Sequence, residues 1–408
     1  MSKSSNAETG DPGSGESISS PEHEDFSLVL GGPLYQLLLR AGLIQPSMGL
    51  VHRRILTAAI ITWLPLAILT TLSSGPEGEG SVPFLLDLDV HVRLLISLPL
   101  LIGAELIVHR RMRTLVGQFL ERGLIAAEDE PRFEAMAARA MKLRNSVVAE
   151  VLLLVISFIA GYGVWRAHAT LKVASWYAIP VDGLIELNRA GYWYAFFCLP
   201  ICRFILLRWY FRLLIWYMFL WRVSRLRLKL NALHPDRAGG LSFLANTVDA
   251  FAPVLIAQTT LLSGLIGNQI WHGGAKLPEY KLEIVGFVAF LMLVVLCPLM
   301  FFALQMIETR LAALREFGIL ASRYAAEFRQ KWLQVGKAPD EALLGTGDIQ
   351  SLADLGNSYE VVRTMRPLPF DRGAVIRQAI MIALPLLPLI LTMIPLDELL
   401  DRLFKLVL

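Results

Sequence analysis

The run "HPDRAGGL", residues 234–241, sets an imidazole (His234), a carboxylate (Asp236), a guanidinium (Arg237) and two glycines (Gly239, Gly240) side by side. Three chemistries fit those types at that spacing. Glycine amides, the N-terminus of a following helix and Arg237 compose an anion site suited to phosphate or carboxylate. His234 and Asp236 offer acid–base chemistry on a phosphorylated group. Alternatively, Pro235 ends a helix, Asp236 ties a tight turn and the glycines take positive φ, so that the run is purely structural. No Walker-type spacing and no Lys-Ser/Thr ending are present, so a nucleotide fold is not implied.

A second group of candidates lies upstream in "RFILLRWYFRLL", which carries Arg203, Arg208 and Arg212 inside an apolar stretch. Each arginine at a membrane centre costs about 2.5–3.5 kcal/mol, whereas a good apolar residue returns about 0.3–0.6 kcal/mol. Such arginines need an acid, water or a route to the headgroups. Arg208 and Arg212 are four apart and share a face, Arg203 is offset from them, and Arg212 is placed to snorkel. Acids expected at similar depth are Glu105, Glu150 and Asp249, with Gln305 and Glu308 just below. A Glu105–Arg208 salt bridge is the plain reading, and a ligand-binding or proton-handling role is the other. Glu105 and His109 stand at i,i+4 but are followed by two arginines, and Cys198 and Cys202 in "CLPIC" have no further ligands nearby, so neither pair predicts a metal. Nothing points to a cofactor. Cys297 completes three apolar-embedded cysteines, which is no disulfide framework. Gln258 opens "QTTLLSGLIGNQ", where hydroxyl and small residues favour either close helix packing or a polar route.

The elements that must position these groups are membrane helices. Of the 408 residues 55% are hydrophobic and 18% charged, mean hydropathy is +0.54, and soluble domains average roughly 25% charge. The net charge of +3 does not suggest nucleic acid as a partner. Seven segments approach the ~20 apolar residues that a span needs: 55–73, 92–109, 147–165, 191–213, 250–270, 284–305 and 374–396. The last carries Pro385, Pro388 and Pro395, and either spans or folds back. Alternate connections hold 26 Lys and Arg against 7, which places the N-terminus in the cytoplasm by the positive-inside rule. Trp and Tyr cluster in the short outer connections, as interface residues do.

The fold expected is therefore all-α, a helical membrane bundle of six or seven spans with cytoplasmic helical extensions. Residues 1–25, polar and without an apolar core, read as a disordered tail, and 26–54 as an interfacial segment including "PLYQLLLRAGL". A six-helix bundle covers 55–305, with a helical cytoplasmic loop at 110–146. A helical extension and loop cover 306–373, and the seventh segment plus a short tail cover 374–408. No internal repeat is evident. The basic run "WRVSRLRLKLN" has period two or ends a helix, and suits anionic headgroups.

"HPDRAGGLSFL" following "RFILLRWYFRLLIWYMFLWRVSRLRLKL" resembles a group of bacterial polytopic membrane proteins with no assigned activity. The resemblance covers chiefly 203–244, implies a bacterial inner membrane and carries over no functional residues. Three function classes follow: a transporter or channel for a small anionic solute, an enzyme acting on a phosphate-bearing lipid at the inner leaflet, and a non-catalytic scaffold or sensor. The bilayer and its anionic headgroups are the expected partners, and a homo-oligomer is compatible with such a bundle.

Overall fold

The computed structural model describes residues 26–43, 50–72, 83–169, 176–181, 184–333 and 347–393. The tail 1–25, Pro395 and the end of the chain lie outside the described residues. Among the described residues the chain forms ten helices and one short hairpin: α1 Pro33–Arg40, α2 Val51–Leu72, α3 Leu88–Glu121, α4 Glu130–Arg144, α5 Val147–Ala169, α6 Arg189–Val223, α7 Ser242–Gly273, α8 Leu277–Leu333, α9 Gly347–Arg363 and α10 Arg372–Leu391. Six of them (α2, α3, α6, α7, α8, α10) are long and apolar enough to cross a membrane, and α4 with α5, bent by 44°, makes a seventh if taken as one span. The chain is a multi-pass membrane protein with an all-α bundle. The hairpin, β1 Ala178–Val181 against β2 Leu184–Leu187 in antiparallel register, lies in the connection between α5 and α6.

Prolines inside the helices dictate how the bundle is stitched. Proline removes an N–H and orphans the carbonyl four residues back, which lipid cannot satisfy. In α8, Pro298 frees the carbonyl of Val294, and the Tyr217 hydroxyl of α6 donates to it. In α2, Pro65 frees the carbonyl of Ile61, and the Trp193 indole N–H of α6 donates to it at 3.3 Å. α10 meets Pro385 and Pro388 by tightening to a 3₁₀ turn at Leu384–Leu386 and then resuming. It runs along α7 from Arg377 beside Asp249 (3.7 Å) to Leu389 beside Gly267, where a Cβ on the glycine would lie 3.5 Å from Leu389. The described part of segment seven, Arg372–Leu391, is long and apolar enough to cross a membrane.

The long helices build two layers. α3, α6 and α7 contain 34, 35 and 32 residues, roughly 50 Å each at 1.5 Å per residue, against a hydrocarbon core of about 30 Å. α2, with 22 residues, fits that core, and its first turn holds Arg54 against Glu105 of α3. α3 beyond Glu105 and α6 beyond Arg212 therefore continue past the end of α2 into a second layer. Helical spacing of Met112, Leu115, Val116 and Phe119 keeps a buried face on α3 there. Phe119, Phe133 of α4, Phe219 of α6 and Phe243 form its aromatic centre, with ring centroids 5.1–5.8 Å apart. Phe26 joins from the N-terminal segment, 5.1 Å from Phe219.

Candidate functional site

At the junction of the two layers, five charged side chains from four helices meet. Glu105 (α3) accepts from Arg54 (α2), from Arg212 (α6) at 2.8 Å, and lies 3.5 Å from Arg208. Arg208 also donates to Glu150 (α5) at 3.0 Å. Every one of these side chains is at most 9% exposed. The second Glu150 oxygen accepts the amide of Leu34 at the start of α1, 2.8 Å away. The close approach needs Gly32, whose φ is +90° and whose Cβ, if it had one, would come within 2.9 Å of Glu150 Oε1. Ser27 completes the docking, its hydroxyl bonded to His109 Nδ1 at 2.9 Å and its carbonyl accepting from Arg144.

The expected Glu105–Arg208 bridge is present, but Arg212 is closer. Arg212 does not snorkel: it is buried, paired, and stacked over Trp209 at 4.6 Å. A guanidinium that finds a buried carboxylate has no reason to extend toward headgroups. Asp249 stands apart from this network, 4.0 Å from Arg111 and 3.7 Å from Arg377.

The turn at 234–241 is also separate. Arg122, which bonds the Gly240 carbonyl at 3.0 Å, is seventeen residues beyond Glu105 on α3, roughly 25 Å along the axis. The turn and the Glu105 network are thus two distinct clusters, because α3 and α6 run straight through the boundary that hydropathy marks as their end. Asp236 Oδ1 accepts the amides of Ala238 (2.8 Å) and Gly240 (3.1 Å), and Oδ2 that of Ser242 (3.1 Å), the first residue of α7. His234 Nδ1 lies 2.9 Å from Asp236 Oδ1. Positive φ at Arg237, Gly239 and Gly240 curls the chain around that carboxylate. Burial pushes the Asp236 carboxyl up, and the three amides outweigh it, holding it below the usual aspartate range. The anion seated on the glycine amides and the helix N-terminus is the chain's own Asp236. Arg366 clamps the turn from outside, its amide bonding the Arg237 carbonyl (2.7 Å) and its guanidinium the Asp236 carbonyl (2.8 Å). Arg237 itself points to solvent.

The preceding basic run leaves the helix at Val223 and continues extended, with Leu226, Leu228 and Leu230 turned inward and Arg227 and Lys229 exposed. Eleven residues of α6 separate Arg212 from Val223, about 16 Å, so this run stands beyond the boundary network rather than beside it.

Arg203 differs from every other candidate. Among the described residues it makes no hydrogen bond and no ion pair, and its Nη1 is buried without a partner. Its neighbour Cys202 packs in one cluster with Leu94 and Tyr194, which brings Arg93 of α3 close enough to oppose its charge. Arg93 is held by Asp89, at 2.8 and 2.9 Å through Nη2, while its Nε is buried and unpartnered.

Gln258 accepts from the Tyr210 hydroxyl, and its own Nε2 is buried without an acceptor. The rest of its polar stretch packs: Thr259 and Thr260 bond carbonyls of their own helix, and Gly264 and Gly267 admit Val92 and Leu88 of α3. Cys198 donates to the Thr62 carbonyl. Among the described residues no three His, Cys, Asp or Glu side chains converge as metal ligands.

The sequence reading passed over Arg54, Arg93, Tyr194 and Ser27. Arg54 could be found as the basic residue that immediately precedes the first apolar segment. Arg93 could be found as an arginine i+4 from Asp89 at the mouth of the second span. No family model, curated protein or solved structure matches the chain.

Proposed function

We propose that this multi-pass protein lies in a bacterial inner membrane with its N-terminus in the cytoplasm, binds a small anion within its membrane layer, and moves it between the two faces. The supporting observation is a surplus of positive charge among the described residues of the membrane layer: the buried Arg54, Arg208 and Arg212 and the half-buried Arg93 and Arg203 stand against Asp87, Asp89, Glu105 and Glu150. Uncompensated charge at membrane depth is a functional signature, because lipid gives it nothing to pair with. The orientation follows from the excess of Lys and Arg, 26 to 7, in alternate connections. Asp236, the carboxylate of the lipid-enzyme reading, has both oxygens engaged by backbone amides of its own turn, which favours the anion reading over that one.

The test is efflux of labelled phosphate, acetate and chloride from proteoliposomes, alongside accessibility of a cysteine at position 3 from each side of intact cells. Anion efflux above that of empty liposomes is expected, with position 3 labelled only after permeabilisation. Efflux equal to empty liposomes for all three anions would remove the transport reading. External labelling of position 3 would reverse the orientation.

A further inference from the structure

Arginine inside a span, with a buried N–H that meets no acceptor, is a missing partner written in coordinates. Arg203 is such a residue, and Arg93 beside it has one N–H in the same state. Arg208 and Arg212, on the same helix, have every partner they need from Glu105 and Glu150. Cys202, next to Arg203 in sequence, packs in an apolar cluster with Leu94 and Cys198 that contains no acid, and Arg93 adds repulsion. What satisfies the pair must come from outside the polypeptide.

We propose that Arg93 and Arg203 form a binding site for a monovalent oxyanion that takes hydrogen bonds from Arg93 Nε and Arg203 Nη1. The proposal rests on the anion-binding reading above and adds the site and the ligand class. Oxygen is indicated by the donors: guanidinium forks match the paired oxygens of carboxylate and phosphate groups. The local charge bounds the ligand's, since two arginines against Asp89, with the buried Asp87 two residues before it, sum to at most one positive charge. A monoanion neutralises it, whereas a dianion leaves an excess negative charge in a poorly solvated place. Tyr194, within electrostatic reach of both arginines, carries a hydroxyl that can serve as a further donor. Dihydrogen phosphate, a carboxylate and the phosphodiester of a phospholipid share this chemistry, so a free ion and a lipid headgroup are two sources of one ligand class.

The experiment uses the purified full chain in a zwitterionic detergent. Sodium phosphate, sodium acetate and sodium chloride are titrated calorimetrically, and native mass spectrometry reads retained phosphatidylglycerol. Saturable binding of phosphate or acetate is expected, at least tenfold tighter than chloride and weakened at least tenfold in Arg203→Gln. A lipid source appears instead as phosphatidylglycerol retained by the wild type and lost from Arg203→Gln, with no calorimetric signal. Arg203→Lys keeps the charge without the fork, and serves as the reading if the glutamine variant does not fold; it too should lose at least tenfold. Chloride binding as tight as the oxyanions, retention unchanged by substitution, or no binding of any probe overturns the proposal. Binding without efflux overturns transport alone, and efflux that survives Arg203→Gln overturns this site alone.

Discussion

Arg203 and Arg208 are five residues apart on one helix and meet opposite circumstances. Arg208 sits where α2 and α5 begin and α3 passes through, so Glu105 and Glu150 converge on it and the second layer seals the group from water. Arg203 sits higher, where the same helices present Leu94, Cys198 and other apolar side chains. The lower half of α6 is therefore held together by its charges, and the upper half is left with a charge that the chain does not answer. A buried ion pair contributes little net stability over a well-packed apolar substitute, but removing one member is expensive because the other charge stays behind. Satisfied charge marks the joint between layers, and unsatisfied charge marks the place for something else.

The largest effect should come from Glu105→Ala, which leaves Arg54, Arg208 and Arg212 with Glu150 alone. A loss of about 3–5 kcal/mol is expected, visible as a collapse in yield and melting temperature on detergent extraction. An unchanged melting temperature would mean that the network is not a joint. The next test reverses the sign. Arg203→Leu should stabilise the protein by about 2–3 kcal/mol on the insertion scale, while Arg208→Leu destabilises it by exposing Glu150 to apolar surroundings. Parallel melting curves of the two variants decide the matter. If both destabilise equally, Arg203 has a partner within the protein and the contrast disappears.

How much of this was legible in the sequence depends on which property carries it. Span number and the all-α class follow from hydropathy, a property summed over twenty residues, and errors at single positions do not disturb it. The Glu105–Arg208 pairing was legible because only a few acids enter the apolar segments. What failed was depth. Hydropathy ends α3 near His109, whereas Met112, Leu115 and Phe119 carry the helix on against a second layer, and that layer buries residues which the sequence assigns to solvent or headgroups. Arg212 was misplaced for the same reason, and the turn at 234–241 was drawn up beside a network roughly 25 Å away. The role of Ser27 was out of reach, since it depends on the N-terminal segment returning to pack on α3 and α4. Residue type alone does not separate Arg203 from Arg208; only their neighbours do.

The turn extends the contrast to a neutral setting. Asp236 is satisfied by three backbone amides rather than by arginines alone, so it should act as structure. Asp236→Ala leaves those amides unpaired, a loss of about 1–3 kcal/mol. Because its carboxyl lies below the usual aspartate range in the folded chain, the folded state holds that proton less tightly than the unfolded one. Its contribution is present above the unfolded value near pH 4 and fades as pH falls through the folded value. The wild-type melting temperature should therefore drop in acid more steeply than that of Asp236→Ala. Parallel curves would show that Asp236 does not titrate with folding.

The smallest effect isolates one hydrogen bond inside the membrane layer. Tyr217 donates to the Val294 carbonyl, which has no helical partner because Pro298 lacks an N–H. If satisfaction of buried polar groups is what separates structural from ligand-seeking residues, the two positions must be coupled. Tyr217→Phe alone should cost about 1 kcal/mol, read as a small drop in melting temperature. In a Pro298→Ala background the restored backbone N–H takes the Val294 carbonyl, and the same tyrosine substitution should then cost much less. The 3₁₀ stretch Cys297–Phe302 tests whether that repair is available: if its geometry keeps the new N–H away from Val294, the cost of Tyr217→Phe stays the same in both backgrounds. Equal costs would assign the break in α8 to packing around Phe302 rather than to the proline.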